Sequence, residues 1–246
     1  TLKVIQIASG EVLTTAIEKC AGSVIWNADS HGFAYRLVNE NWRPDRALYR
    51  ELTSGEDTLL YQEKDDSFFV GLGLSQSEQL MFISSGDHVT SEVRFVPRDN
   101  LRAEQTLIAT RREGHEYDVE HQGDNAETGR LIIRSNRNHP NFDLFETPVA
   151  TPEEVHWQIL LPGDESHYLM GHVAFADALI VCLRINGLDQ VQIVDNSGSH
   201  LIEFPEPAYS VDLGTNPTIE PTPCDWPIPP WSRRTRCSIT TGKQSR

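Results

Sequence analysis

The 246-residue chain carries 21 Lys and Arg against 36 Asp and Glu, a formal charge of −15. That balance excludes a general attraction for nucleic acid or an anionic membrane surface, both of which select a basic face. Its four cysteines are too few for a disulfide framework in a chain this long, and no apolar run approaches the roughly 18 residues that span a bilayer.

From residue 24 the chain is a succession of short runs with period two, parted by turn residues. "VIWNAD" (24–29) leads through Ser-His-Gly into "FAYRLV" (33–38), with Phe33, Tyr35 and Leu37 on one face and Ala34, Arg36 and Val38 on the other. "ALYREL" (47–52) and "TLLYQE" (58–63) complete a set of four. A second set is "FFVGLGLS" (68–75), "QLMFISS" (79–85), "SEVRFVP" (91–97) and "QTLIAT" (105–110). The third is "EYDVEHQG" (116–123), "RLIIRSN" (130–136), "FDLFETPV" (142–149) and "HWQILLP" (156–162). The fourth is "YLMGHVAFA" (168–176), "LIVCLRI" (179–185), "VQIVD" (191–195) and "HLIEF" (200–204), and "YSVDLGTN" (209–216) opens a fifth. Within this pattern Cys20 and Cys182 have apolar neighbours and are expected to be buried thiols.

The first strand of each set begins near 24, 68, 116, 168 and 209, a spacing of roughly 40 to 50 residues. Four strands per unit at that period predict an all-β fold, a partial β-propeller of about four four-stranded blades plus the start of a fifth. A β-sandwich also has many short strands but not this period. Seven blades would need roughly 300 residues, and an open arc leaves blade faces uncovered. With a first residue of Thr rather than Met, a fragment of a longer protein is expected.

"VIWNADSHGFAYRLVNENWRPDRALYREL" (24–52), "LLYQEKDDSFFVGLGLSQSEQLMFISSGDHVTSEVRFV" (59–96), "EYDVEH" (116–121) and "FPEPAYSV" (204–211) resemble the propeller domain of the prolyl oligopeptidase family, in particular its oligopeptidase B branch. The resemblance runs from Thr1 to about Thr222. One departure is "DNAETG" (124–129), longer than the turn expected between those strands. The resemblance implies the substrate-gating part of a serine peptidase whose α/β-hydrolase domain carries a Ser-Asp-His triad and cleaves short peptides, after Arg or Lys in oligopeptidase B. It also implies a cytoplasmic location, which the sparse cysteines fit. The partners expected are that hydrolase domain and short peptides, with no nucleic acid and no membrane. No Gly-x-Ser-x-Gly pentad or strand–helix alternation occurs here, so this chain alone is expected to be inactive. The alternatives are a stand-alone propeller used as a binding scaffold and a truncated product without function.

The last stretch, 223–246, has a different composition. Residues 221–230 hold five of the fourteen prolines, and from Pro223 onward there are five Lys or Arg against one Asp. The "CDWPIPPWSRRTRCSIT" segment (224–240) can be encoded so that the preceding frame reads Leu-Arg-Leu-Ala-Tyr-Ser-Ser-Met-Val-Thr-Pro-Asp-Thr-Val-Phe-Asp-Tyr, which alternates like a strand and resembles the family's next blade. Residues 223–240 are therefore expected to be read out of frame, and 1–222 to be the domain.

No catalytic, cofactor-binding or metal-ligating residue is assigned, and no cofactor is expected. His115 and His121 flank "EYDVE", where alternation puts them on one face with Tyr117 and Val119; without a third ligand they read as a polar blade edge rather than a zinc site. Cys224 and Cys237 lack both a C-x-x-C spacing and a His partner. "GLGLSQ" (71–76) lacks the third glycine of a dinucleotide motif and is expected to let adjacent blades approach closely. The charged connections "EKDD" (63–66) and "PRDNLRAE" (98–105) read either as solvated turns or as contacts to a peptidase domain.

Overall fold

A computed structural model describes residues 1–203 and Val211. Among the described residues sixteen strands form four separate four-stranded sheets, each an antiparallel meander in chain order. The first sheet is β1 (Cys20–Trp26), β2 (Gly32–Val38), β3 (Pro44–Glu51) and β4 (Asp57–Gln62). The second is β5 (Phe69–Leu74), β6 (Leu80–Gly86), β7 (Ser91–Pro97) and β8 (Thr106–Ala109). The third is β9 (Tyr117–Gln122), β10 (Arg130–Ser135), β11 (Asp143–Pro148) and β12 (Gln158–Leu161). The fourth is β13 (His167–Ala174), β14 (Ala178–Ile185), β15 (Leu188–Asp195) and β16 (Gly198–Leu201). This is the all-β partial propeller that the period predicts. The start of a fifth blade and the tail from 223 lie outside the described residues.

By internal contacts the chain divides into Thr1–Glu116 with Pro152–Val155, and Tyr117–Thr151 with His156 onward. In the first unit the Ala34 face of sheet one meets sheet two: Ile25, Ala34, Ala47 and Tyr49 pack with Val70, Met81, Ile83 and Val96. The opposite face, Phe33 and Tyr35, is covered by Ile17 with Leu2 and Val4, from a segment bridged at Leu2–Ile17 and Ile5–Val12. In the second unit Ile132, Leu144, Leu169, Leu179 and Val181 join sheets three and four. Burial on both faces is clearest in the second strand of each sheet, where adjacent apolar residues are buried on opposite sides, as in Phe33–Ala34, Met81–Phe82, Leu131–Ile132 and Leu179–Ile180.

Several expectations need correction. β1 begins at Cys20 rather than Val24, because Cys20 and Ala21 pair with Leu37 and Arg36 before a bulge. Residues 1–17 add a hairpin-like segment outside the period-two pattern. Cys20 and Cys182 are partly rather than fully buried. The long 124–129 turn leaves the β9–β10 register unbroken from Arg130–Gln122 to Ser135–Tyr117. It folds back through Asn125, whose side-chain oxygen accepts from the Glu127 and Thr128 amides.

Candidate functional site: the charged end of the first two sheets

The "EKDD" connection is not simply a solvated turn. Glu63 follows β4, and its side chain is 7% exposed. Its carboxylate accepts hydrogen bonds from Arg111 Nη2 (2.6 Å), Ser85 Oγ (2.5 Å) and Tyr61 Oη (2.9 Å), and from the amides of Lys64 and Asp65. Burial alone would raise its pKa, but these donors, Arg111 foremost, hold it down at about 2.

Glu92, on β7, is equally buried and accepts from Arg94 Nη1 at 2.5 Å and from the Arg111 amide at 3.3 Å. Burial opposes its ionisation and the Arg94 bond outweighs it, so its pKa too is lowered. The two arginines are packed as well as paired: Arg111 lies 4.3 Å over the Phe68 ring and Arg94 4.9 Å over Tyr61. Residues from the ends of β4, β6, β7 and β8 therefore meet in one network that ties sheet one to sheet two. Lys64, Asp65 and Asp66 remain exposed around it.

The "PRDNLRAE" loop is likewise committed inside this unit. Leu101 is buried, and its amide donates to Asn27 Oδ1 at 3.2 Å. Asn27 Nδ2 donates to the Asp99 carbonyl, and Arg98 Nε to that of Trp26. This loop fastens the sheets at the end opposite Glu63, on the side of the β1–β2 turn.

His115 and His121 do not share a strand face, because β9 starts at Tyr117. His115 is buried in the preceding connection, with its carbonyl accepting from the Ser91 amide. His121 is fully buried, 3.0 Å from the Thr128 carbonyl, and burial lowers its pKa. A buried imidazole tying down the long 124–129 turn replaces the expected polar edge. Among the described residues no three His, Cys, Asp or Glu side chains gather as metal ligands.

The glycines of "GLGLSQ" also act differently from the expectation. A Cβ on Gly71 would sit 2.3 Å from Ser84 Oγ, on the neighbouring strand of the same sheet, while one on Gly73 would meet nothing within 4 Å. Gly71 serves packing within its blade rather than between blades.

In the second unit a cavity of about 200 Å³ lies where sheets three and four meet, lined mainly by Phe142, Leu161, Leu169, Leu183 and Ile185. His167 and Gln192 are its polar members. His167 is paired with Asp164 at 3.2 Å, and the lining holds no serine, threonine or cysteine beside it. Among the described residues no helix is long and apolar enough to cross a membrane.

The four meanders and the committed loops agree with what comparison with known proteins finds. The model of the prolyl oligopeptidase N-terminal β-propeller domain matches residues 1–220. The chain belongs to the prolyl oligopeptidase family. Among its curated relatives are Protease 2 of Moraxella lacunata, 30% identical over 216 residues, and dipeptidyl aminopeptidase BI of Pseudoxanthomonas mexicana, 26% identical over 235. These alignments cover 86% and 92% of this chain but 30% and 31% of those proteins, so the chain spans about a third of their length. The fold is also that of oligopeptidase B from Leishmania major (TM-score 0.80, 19% identity, 96% of this chain and 36% of that one). Oligopeptidase B from Trypanosoma brucei, in a closed form with covalently bound antipain, gives a TM-score of 0.76 at 22% identity, over 91% of this chain and 34% of that one. Within the prolyl oligopeptidase family, the propeller is the part that these residues supply.

Proposed function

We propose that this propeller is the substrate-gating portion of an oligopeptidase B-like serine peptidase, cytoplasmic, that cleaves short peptides after Arg or Lys. The observation that carries the reading is the family match over residues 1–220, together with four meander blades, the first two of which are tied to each other by their loops. Its partner is an α/β-hydrolase domain of the same polypeptide, which carries the triad. The propeller residues bring exclusion and steering rather than bond-breaking. A narrow entrance bounded by rigid blades admits extended peptides and rejects folded ones, because threading a folded substrate requires unfolding it first. The acidic surface, −15 over the chain, raises the local concentration of basic peptides, an effect that weakens as salt screens it.

The test is a cleavage assay on the whole polypeptide encoded by the gene and on the 246-residue chain. The expectation is hydrolysis of short peptides after Arg or Lys by the first and none by the second. Peptidase activity directed at other residues would remove the oligopeptidase B assignment, and hydrolysis by the 246-residue chain would remove the gating role.

A further inference from the structure

Two arginines occupy corresponding places in the first and third sheets. Arg36 on β2 pairs across the sheet with Ala21 on β1; Arg134 on β10 pairs with Asp118 on β9. Each sends its Nη1 to a main-chain oxygen on the first strand of the following sheet, Arg36 to Val70 and Arg134 to Leu169, both at 3.0 Å. The difference lies in the counter-ion. Arg134 Nε is 2.6 Å from Asp118 Oδ2, whereas the residue in Asp118's place beside Arg36 is an alanine.

Arg36 is consequently a partly buried cation without a carboxylate within 4.0 Å among the described residues. Its Nε is buried and makes no hydrogen bond. Leaving a guanidinium desolvated and unpaired is unfavourable, and its planar fork of donors matches a carboxylate. The guanidinium packs on the exposed Gly22, next to Ala21: this glycine has φ +72, and a Cβ there would stand 2.4 Å from Arg36 Nη2. Beside it Arg43 lies 4.2 Å over the ring of Phe69, the neighbour of Val70, and is also without an ion-pair partner among the described residues. Two arginines without a counter-ion thus lie at this seam, in a chain whose formal charge is −15.

We infer that Arg36, half-buried against the exposed Gly22 of β1, is a binding site for the carboxylate of a peptide, terminal or side-chain. The carboxylate takes the place that Asp118 fills beside Arg134. This does not depend on the proposed peptidase function, since the site is complete within the first two sheets.

The experiment is a titration of the 246-residue chain followed through the Arg36 Nε–Hε and Gly22 amide signals by 15N-correlated NMR, with the Arg36 signal assigned by its loss in Arg36→Lys. The probes are N-acetyl-dialanine, its C-terminal amide, and the amide of N-acetylglutamate. A saturable shift with either carboxylate probe and none with the dialanine amide is expected; which carboxylate acts distinguishes a peptide end from an acidic side chain. Arg36→Gln should abolish the Gly22 response. Ala21→Asp, which supplies an internal counter-ion, should weaken binding at least about tenfold. Equal shifts with the amide, no saturation with either carboxylate, or unchanged affinity in Ala21→Asp would overturn the assignment.

Discussion

Glu63 and Arg111 meet at 2.6 Å although 48 residues separate them, one just after β4 and the other just after β8. Their contact closes one end of the first two sheets, and each also touches Tyr61. Removing Arg111 leaves the buried Glu63 carboxylate without its cation, held only by neutral donors. Arg111→Ala is expected to destabilise the chain by about 3 kcal/mol, measured by urea unfolding. Arg111→Lys retains charge but loses the guanidinium's stacking on Phe68, so it should recover only part of the loss.

The same network sets an acid limit. Glu63 is held at about 2 in the folded chain, well below the usual carboxylate value near 4.3. Its ionised form therefore contributes stability that is fully present above the unfolded value and is lost as pH falls through the folded one. Glu92 shifts in the same direction. The melting temperature should fall progressively from about pH 4.5 toward 2, and Glu63→Gln should flatten that slope while lowering stability at neutral pH.

Asn27 uses both ends of its amide to hold the opposite end of the seam, accepting from Leu101 and donating to the Asp99 carbonyl. Asn27→Ala strands the buried Leu101 amide at a cost of about 1–3 kcal/mol. Asn27→Asp keeps an acceptor for the Leu101 amide but replaces the donor with a carboxylate oxygen facing the Asp99 carbonyl and Asp29. Hydrogen exchange at Leu101 should accelerate strongly in the alanine variant and weakly in the aspartate one. Equal acceleration in both would contradict this division of roles.

Two glycines with positive φ separate strain from crowding. Gly129 has φ +93, and a Cβ on it would sit 2.3 Å from the Gln122 carbonyl oxygen; Gly187 has φ +81 with nothing within 4 Å. Both alanine variants suffer the left-handed backbone, about 1–2 kcal/mol. Gly129→Ala must also shift the β9–β10 turn. Its melting temperature should drop clearly further than that of Gly187→Ala.

Most of the fold could be read from period two in the sequence, because each sheet buries its alternate residues on one side or both. "SEVRFVP" is β7 to the residue. The segment 1–17 is less legible: among the described residues its ties are single bridges, Leu2–Ile17 and Ile5–Val12, and Leu2 and Val4, which pack against Phe33, are its short trace of alternation. The polar sites were less legible for a physical reason. Glu63 looks like part of a charged turn until Arg111, far along the chain, is brought to it. Arg36 differs from Arg134 only through the strand register that sets Ala21 rather than Asp118 beside it.

The gating role is tested most directly by size discrimination in the whole polypeptide. The rate of cleavage at one Arg-containing segment is measured in a free short peptide and in a folded protein that displays it on an exposed loop. A preference of at least about a hundredfold for the peptide is expected, narrowing when Arg111→Ala loosens the sheets. Equal rates on the two substrates would contradict it.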